Sequence, residues 1–132
     1  MMRRAAVLLL ALPLAAQAAQ WTKLPAPGGS TAFIDKNSIV KSGPSFKAWT
    51  MEAPPTAQST PDGKPYRAVK ALQLYSCEDR TATLLMQVYY DDVQGKGAVV
   101  QTVKYEKFSA DEIVPDSVAD AALAIICKKP AS

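Results

Sequence analysis

YRAVKALQLYSC, residues 66–77, and RTATLLMQVYYD, residues 80–91, are separated only by Glu78-Asp79. Their reading decides the fold. In the second stretch Ala82, Leu84, Met86, Val88 and Tyr90 fall at every other position, and Thr81, Thr83, Gln87 and Tyr89 largely fill the alternate ones. That period of two is the signature of a half-buried β-strand. The first stretch divides less cleanly. Val69, Ala71, Tyr75 and Cys77 share one face while Leu72 and Leu74 lie on the other, as in a central strand or one bulged near Gln73. A two-residue connection leaves no room for the crossover that a parallel pair needs, so the two strands are expected to pair antiparallel.

Working outward, further strand signals appear on both sides. TAFID (31–35) and FKAWTME (46–52) are apolar or alternating runs, the latter with Trp49 and Met51 on one face, and Ile39-Val40 is a short piece between them. Gly95-Lys96-Gly97 turns the chain before AVVQTVKYEK (98–107), a further strand. The segment APPTAQSTPDGKP from Ala53 to Pro65 contains four prolines and no apolar periodicity. Proline has no backbone donor for a sheet ladder, so an exposed loop is expected, with Pro55, Pro61 and Asp62 as candidate partner-binding residues.

The period changes after Phe108. Pro115 opens PDSVADAALAIIC, Asp116 or Ser117 stands where a cap belongs, and Val118, Ala121, Ala122, Ile125 and Ile126 recur at helical spacing. Lys128 and Lys129 suit the negative end of the helix dipole, and Pro130 stops it. The expected fold is α+β: a meander of antiparallel strands with one C-terminal helix on one face.

The N-terminus sets the compartment. Arg3 and Arg4 precede the apolar run AAVLLLALPLAA (5–16), and Ala16-Gln17-Ala18 gives small residues at both positions of a secretory cleavage site. Residues 1–18 are expected to be a signal peptide, with Ala19 first in the mature domain, 19–132. An uncleaved anchor is the competing reading, but the run is shorter than the roughly 20 residues a spanning helix needs and contains Pro13. No cysteine follows the cleavage site to accept a lipid, and no later segment is long and apolar enough to span. A periplasmic or secreted protein without a lipid anchor is expected.

Export carries two consequences. Arg3 and Arg4 leave with the signal peptide, lowering Lys+Arg from 15 to 13 against 12 Asp+Glu, so the mature chain has no broad pull toward nucleic acid. Cys77 and Cys127 are the only cysteines, and in an oxidising compartment they are expected to form one disulfide between a strand end and the last helical turn. Two unpaired buried thiols would be unusual there.

The chain has no histidine, which removes the commonest general base and metal ligand together with every Ser-His-Asp or Cys-His arrangement. The acidic pairs Glu78-Asp79, Asp91-Asp92 and Asp111-Glu112 sit in expected turns or at strand ends, where charge marks solvent exposure rather than acid–base chemistry. A calcium site from Asp91, Asp92 and Gln94 lacks the repeated acidic spacing of a dedicated loop. No enzyme activity, metal or cofactor is expected. Tyr66, Tyr75, Tyr89, Tyr90, Tyr105 and Trp49 can serve as cross-strand packing or as a binding platform on the face away from the helix. Tyr89 alternates opposite to Leu84, Met86 and Val88 and is expected to point outward as an interface residue.

Taken in order, Trp21, Phe33-Ile34-Asp35 with Ser38-Ile39, Trp49, Tyr66-Arg67, Lys70-Ala71-Leu72, Cys77 with Arg80, Tyr90 with Gly95-Lys96-Gly97, and Pro115-Asp116-Ser117 leading to Cys127 make the chain resemble the surface-adhesin protein E-like family of bacterial exported proteins. The resemblance spans nearly the whole mature chain. It implies a curved sheet of about six strands, the helix tethered to its concave side by the disulfide, and an adhesion-type binding role. Ser76, where an acidic residue commonly precedes the cysteine, and Phe108, where tryptophan is frequent, depart from the family pattern. The functional expectation is a non-catalytic binding module of the envelope that recognises a protein or another envelope component through one sheet face and the 53–65 loop. A periplasmic structural or stress-related protein is the alternative, and a homodimer through an open sheet edge is consistent with either.

Overall fold

The computed structural model describes residues 18–128. Of the expected signal peptide, residues 1–18, all but Ala18 lie outside the described residues, as do Lys129 and Pro130 at the helix end.

The two stretches that decided the reading form strands β7 (Ala68–Ser76) and β8 (Thr81–Tyr90), paired antiparallel. They are the centre of one sheet whose other strands are β1 (Trp21–Leu24), β2 (Thr31–Asp35), β3 (Val40–Ser42), β4 (Ser45–Ala53), β9 (Val99–Lys104) and β10 (Ala110–Glu112). The order is β1-β2-β4-β7-β8-β10, with β3 also on β4 and β9 also on β8. Because β2 and β3 follow one another along β4, and β9 and β10 along β8, eight strands make a sheet six strands wide. All neighbours are antiparallel, as the short connections require.

A short 3₁₀ turn at Lys36–Ser38 shows how the sequence closes its corners. The buried Asp35 carboxylate accepts hydrogen bonds from Gln20 N (2.8 Å) and Asn37 N (3.0 Å). The Ser38 hydroxyl donates to the Asp35 carbonyl and accepts from Trp49 N at 2.9 Å. The Asp-Lys-Asn-Ser cluster therefore ties β1, β2 and β4 together through local side-chain bonds.

Helix α1 (Val118–Cys127) begins at Ser117, whose hydroxyl accepts from Asp120 N as an N-cap. Its buried residues are Ala122, Leu123 and Ile126, with Val118, Ala121 and Ile125 packed at the margin. Leu123, absent from the stripe read in sequence, belongs to that face. They meet Leu24, Ala32, Ile34, Ala48, Tyr75 and Ala82, which the register places on a single face of the sheet. Tyr75 is fully buried at the centre. Cys77 and Cys127 form a disulfide with Cα atoms 5.7 Å apart, and Arg80 Nη2 reaches Asp120 Oδ1 at 2.8 Å. The β7–β8 turn is thus fastened to both ends of the helix. Among the described residues no helix is long and apolar enough to cross a membrane.

Several expectations change. The simple alternation of β8 fails, because the register shifts between Leu72 and Gln73: Leu72 faces Met86, whereas Gln73 faces Leu84. The β4–β7 ladder runs unbroken across that point, so the extra residue is Leu85 in β8, not one in β7. The bulge turns Met86, Val88 and Tyr90 to the face opposite Ala82 and Leu84, and brings Gln87 and Tyr89 to the helix-bearing face. Tyr89 is accordingly buried, 7 % exposed, instead of pointing outward. The 53–65 segment is not wholly irregular, since β5 (Gln58–Ser59) and β6 (Pro65–Tyr66) pair as a small hairpin. The strand β10 was hidden in the polar ADE sequence, which has no apolar alternation to show it.

Two outcomes follow from this core. The disulfide closes a loop with a sequence separation of 50, for which the chain-entropy relation gives about 4 kcal/mol. Cys127→Ala is expected to lower unfolding stability by about that amount and to let the helix fray first, measured by denaturant titration and hydrogen exchange. Burial pushes the Tyr75 hydroxyl from 10.0 up to about 12, opposed by the Thr50 hydrogen bond and reinforced by the Glu52 charge. The unfolded chain loses that proton first, so this stability is intact below pH 10 and is lost as pH rises to about 12. The loss amounts to roughly 2–3 kcal/mol, and Tyr75→Phe should flatten that part of the stability–pH curve.

Candidate functional site

The face opposite the helix carries its own apolar cluster. Register sets Phe33, Met51 and Lys70 in one row across β2, β4 and β7, and Ala53, Ala68 and Tyr90 in the next. Met51, Ala53 and Ala68 are buried, with Trp21, Phe33 and Tyr90 packed around them. Among the described residues no second helix covers this cluster. A cavity of about 550 Å³ opens over it, floored by Phe33, Met51 and Ala53 and walled by Trp21, Pro54-Pro55 and the Val93–Lys96 turn. That volume lies in the range of small-molecule sites.

Lys70 organises one wall. Its Nζ donates to the Gly95 carbonyl oxygen at 2.9 Å and lies 5.5 Å from the centre of the Trp21 ring and 4.6 Å from that of Tyr90. Gly95 adopts φ +63°, and a Cβ there would stand 2.8 Å from Met51 Sδ and 2.9 Å from Lys70 Cε. Only glycine lets the turn descend onto the sheet. The turn itself is built by the two aspartates. Asp92 accepts from the backbone N–H groups of Gln94, Lys96 and Gly97, and Asp91 accepts from Ala98 N. The Gly97 N–H above all, with those of Lys96 and Gln94 adding to it, holds the Asp92 carboxyl below the usual range against an opposing desolvation. These carboxylates do turn chemistry.

The candidate residues of the 53–65 segment part company. Pro55 lines the cavity. Pro61 and Asp62 sit at the apex of the β5–β6 hairpin, away from it. There Asp62 is hydrogen-bonded to the Thr60 hydroxyl, its backbone N–H donates to Gln101 Oε1 at 3.2 Å, and Lys64 Nζ is 3.6 Å from its carboxylate. The Thr60 bond, and then the charge of Lys64, lower its pKa. Tyr66, at the hairpin's end, meets Tyr89 edge-on with ring centres 4.8 Å apart. The segment therefore touches the cavity with Pro54-Pro55 and the helix-bearing face with its hairpin. Tyr89 is the floor under that hairpin, its hydroxyl donating at 3.0 Å to Gln87 Oε1, which also accepts from the Tyr105 hydroxyl at 2.6 Å.

Sequence reading missed most of the cavity. Trp21, Phe33, Met51, Arg67 and Lys96 come from five separated segments. The signal that existed was the second apolar set at Leu72 and Leu74, which required β7 to be buried to some degree on both faces.

The architecture is that of a small disulfide-clamped α+β scaffold, an open sheet with its helix on one face and its cavity on the other. The sequence profile described as surface-adhesin protein E matches residues 21–128, and the chain belongs to that family. Crystal form II of Haemophilus influenzae protein E is similar with TM-score 0.62 and 19 % identity, over 81 % of this chain and 86 % of that one. The selenomethionine form gives 0.61 and 18 %, over 83 % and 92 %. The protein E structure from non-typeable Haemophilus influenzae gives 0.56 and 20 %, over 83 % and 86 %. At these identities the likeness is one of fold. No curated protein sequence matches the chain.

Gly95→Ala is expected to lower stability by about 1–2 kcal/mol, since alanine pays for the left-handed backbone and its methyl displaces Met51 and Lys70. A thermal melt measures the loss, and a changed Trp21 emission reports the displaced ammonium.

Proposed function

We propose that this chain is a non-catalytic, exported binding module of the bacterial envelope that recognises a protein or another envelope component. The recognition surface is the sheet face opposite the helix, centred on the cavity at Trp21, Phe33 and Met51 and edged by Pro54-Pro55. The observation that carries this reading is that cavity: an apolar, aromatic-walled recess lies on the face that no helix or strand of the described residues covers. Membership of a surface-adhesin family supports an adhesion-type role for it.

The same proposal includes cleavage after Ala18 and a single mature domain, free in the periplasm or medium. Pro61, Asp62 and Tyr89 then act as supports, holding the hairpin against the sheet so that Pro54-Pro55 keep their place at the cavity rim. A homodimer along the outer strand β9, where Val99 is 54 % exposed, is compatible with a cavity on the opposite side of the sheet from the helix.

A photo-crosslinking residue placed at position 55 in the exported protein is expected to yield discrete adducts in living cells. The same residue at position 114, where Val114 is 66 % exposed but remote from the cavity lining, should yield none. Identical patterns at both positions, or none at either, would sink the role of this face.

A further inference from the structure

The cavity is chemically one-sided. Among the described residues Arg67 and Lys96 line it and no Asp or Glu does, and the Lys70 ammonium lies 5.5 Å from the centre of the Trp21 ring. Among the described residues the ion pairs are Lys64–Asp62 and Arg80–Asp120, so none of these three cations has a carboxylate within reach. Asp91 and Asp92, which precede Lys96 in its own turn, are already engaged by backbone N–H groups of that turn. Arg67 Nε is buried and donates to nothing, a rare state for a guanidinium nitrogen inside a protein. Beneath this positive rim lies a floor of Phe33, Met51 and Ala53 that belongs to a packed cluster and is present before any ligand arrives.

We infer that the cavity binds a small amphiphile with an apolar body and a single carboxylate-type head. The inference rests on reading this face as the binding site, and within that reading it selects an envelope component of low molecular weight. Each half of the site excludes a simpler ligand. A polyanionic sugar would answer the cations but leave Trp21 and Phe33 facing water. A neutral apolar molecule would fill the floor but leave the Arg67 and Lys96 charges without an acceptor. An apolar chain or ring ending in a carboxylate satisfies both, with the head between Arg67 and Lys96, where charge-assisted hydrogen bonds are strongest. A volume of about 550 Å³ suits one such molecule and not a folded partner.

The test uses the mature chain and three probes with one tail: decanoate, decanol and decyltrimethylammonium, each kept below its aggregation concentration. Calorimetry and tryptophan emission are expected to show decanoate binding at least about tenfold more tightly than the other two, the increment of a hydrogen bond to a charged group. Arg67→Gln with Lys96→Gln should bring decanoate down to the level of decanol without moving the melting temperature. Thr31→Trp, which fills the mouth from an exposed position, should abolish binding of all three. Equal affinity for the three heads, or decanoate binding indifferent to the double variant or to Thr31→Trp, would overturn the inference. Absence of binding by any probe would overturn it too, and crosslinking from position 55 would then still decide whether this face is the recognition surface.

Discussion

A ten-residue helix cannot hold itself together in water, and the described residues contain only one to cover a sheet six strands wide. The interaction on which everything else depends is therefore the fastening of that helix to the β7–β8 turn. Cys77–Cys127 secures its last turn and Arg80–Asp120 its first, so Ala122, Leu123 and Ile126 are held over Tyr75 instead of fraying from it. The covalent bond matters more than the ion pair, since the Arg80 side chain is largely exposed and such pairs contribute little. The electrostatic part of the clamp is nevertheless well placed: Asp120 also accepts from Asp116 N, the largest cause of its lowered pKa, which sets the chain's approach to the Ser117 cap.

The second determinant is the bulge at Leu85. Without it, β8 would present Ala82, Leu84, Met86, Val88 and Tyr90 to one layer, leaving Thr81, Thr83 and the two polar-tipped residues Gln87 and Tyr89 on the other. With it, the strand serves the helix layer at one end and the cavity layer at the other. Tyr90 then takes part in the Lys70 cluster, and Tyr89 lies under Tyr66. A single added residue thus divides one strand between two cores, and the small β5–β6 hairpin covers the part of the helix face that α1 is too short to reach.

The longer strands, their antiparallel order, the helix and the disulfide were legible because each leaves a local mark: a period of two, a period near 3.6, a cap, or a cysteine pair in a chain expected to be exported. The bulge leaves none, as Leu84-Leu85-Met86 is apolar at every position and fits either register. That one ambiguity reversed the orientation expected for Tyr89. The cavity is harder still. Its floor needs Phe33, Met51 and Ala53 to fall in adjoining rows, a property of register across strands and not of any one segment. Its wall needs a turn that drops onto Met51, and the sequence shows Gly95 without showing what it approaches. Pro55 was legible as part of an irregular loop, yet the same loop supplied Pro61 and Asp62, which composition alone could not separate from it.

A sheet with one face stapled and the other bare is normally a liability, because exposed apolar surface invites nonspecific association. Here the bare face is partly neutralised by its own cations. Lys70 lies across Trp21 and Tyr90, and Arg67 and Lys96 stand at the cavity edge, so an approaching apolar surface would have to desolvate charge to reach the floor. A second copy presenting this same face would bring the same local positive charge to it. A ligand that carries its own anion meets no such barrier, since its head replaces the water that these cations give up. The arrangement that disfavours contact between two such faces is thus also the one on which the proposed preference of the cavity rests: cations without acidic partners around a floor that no second helix of the described residues covers.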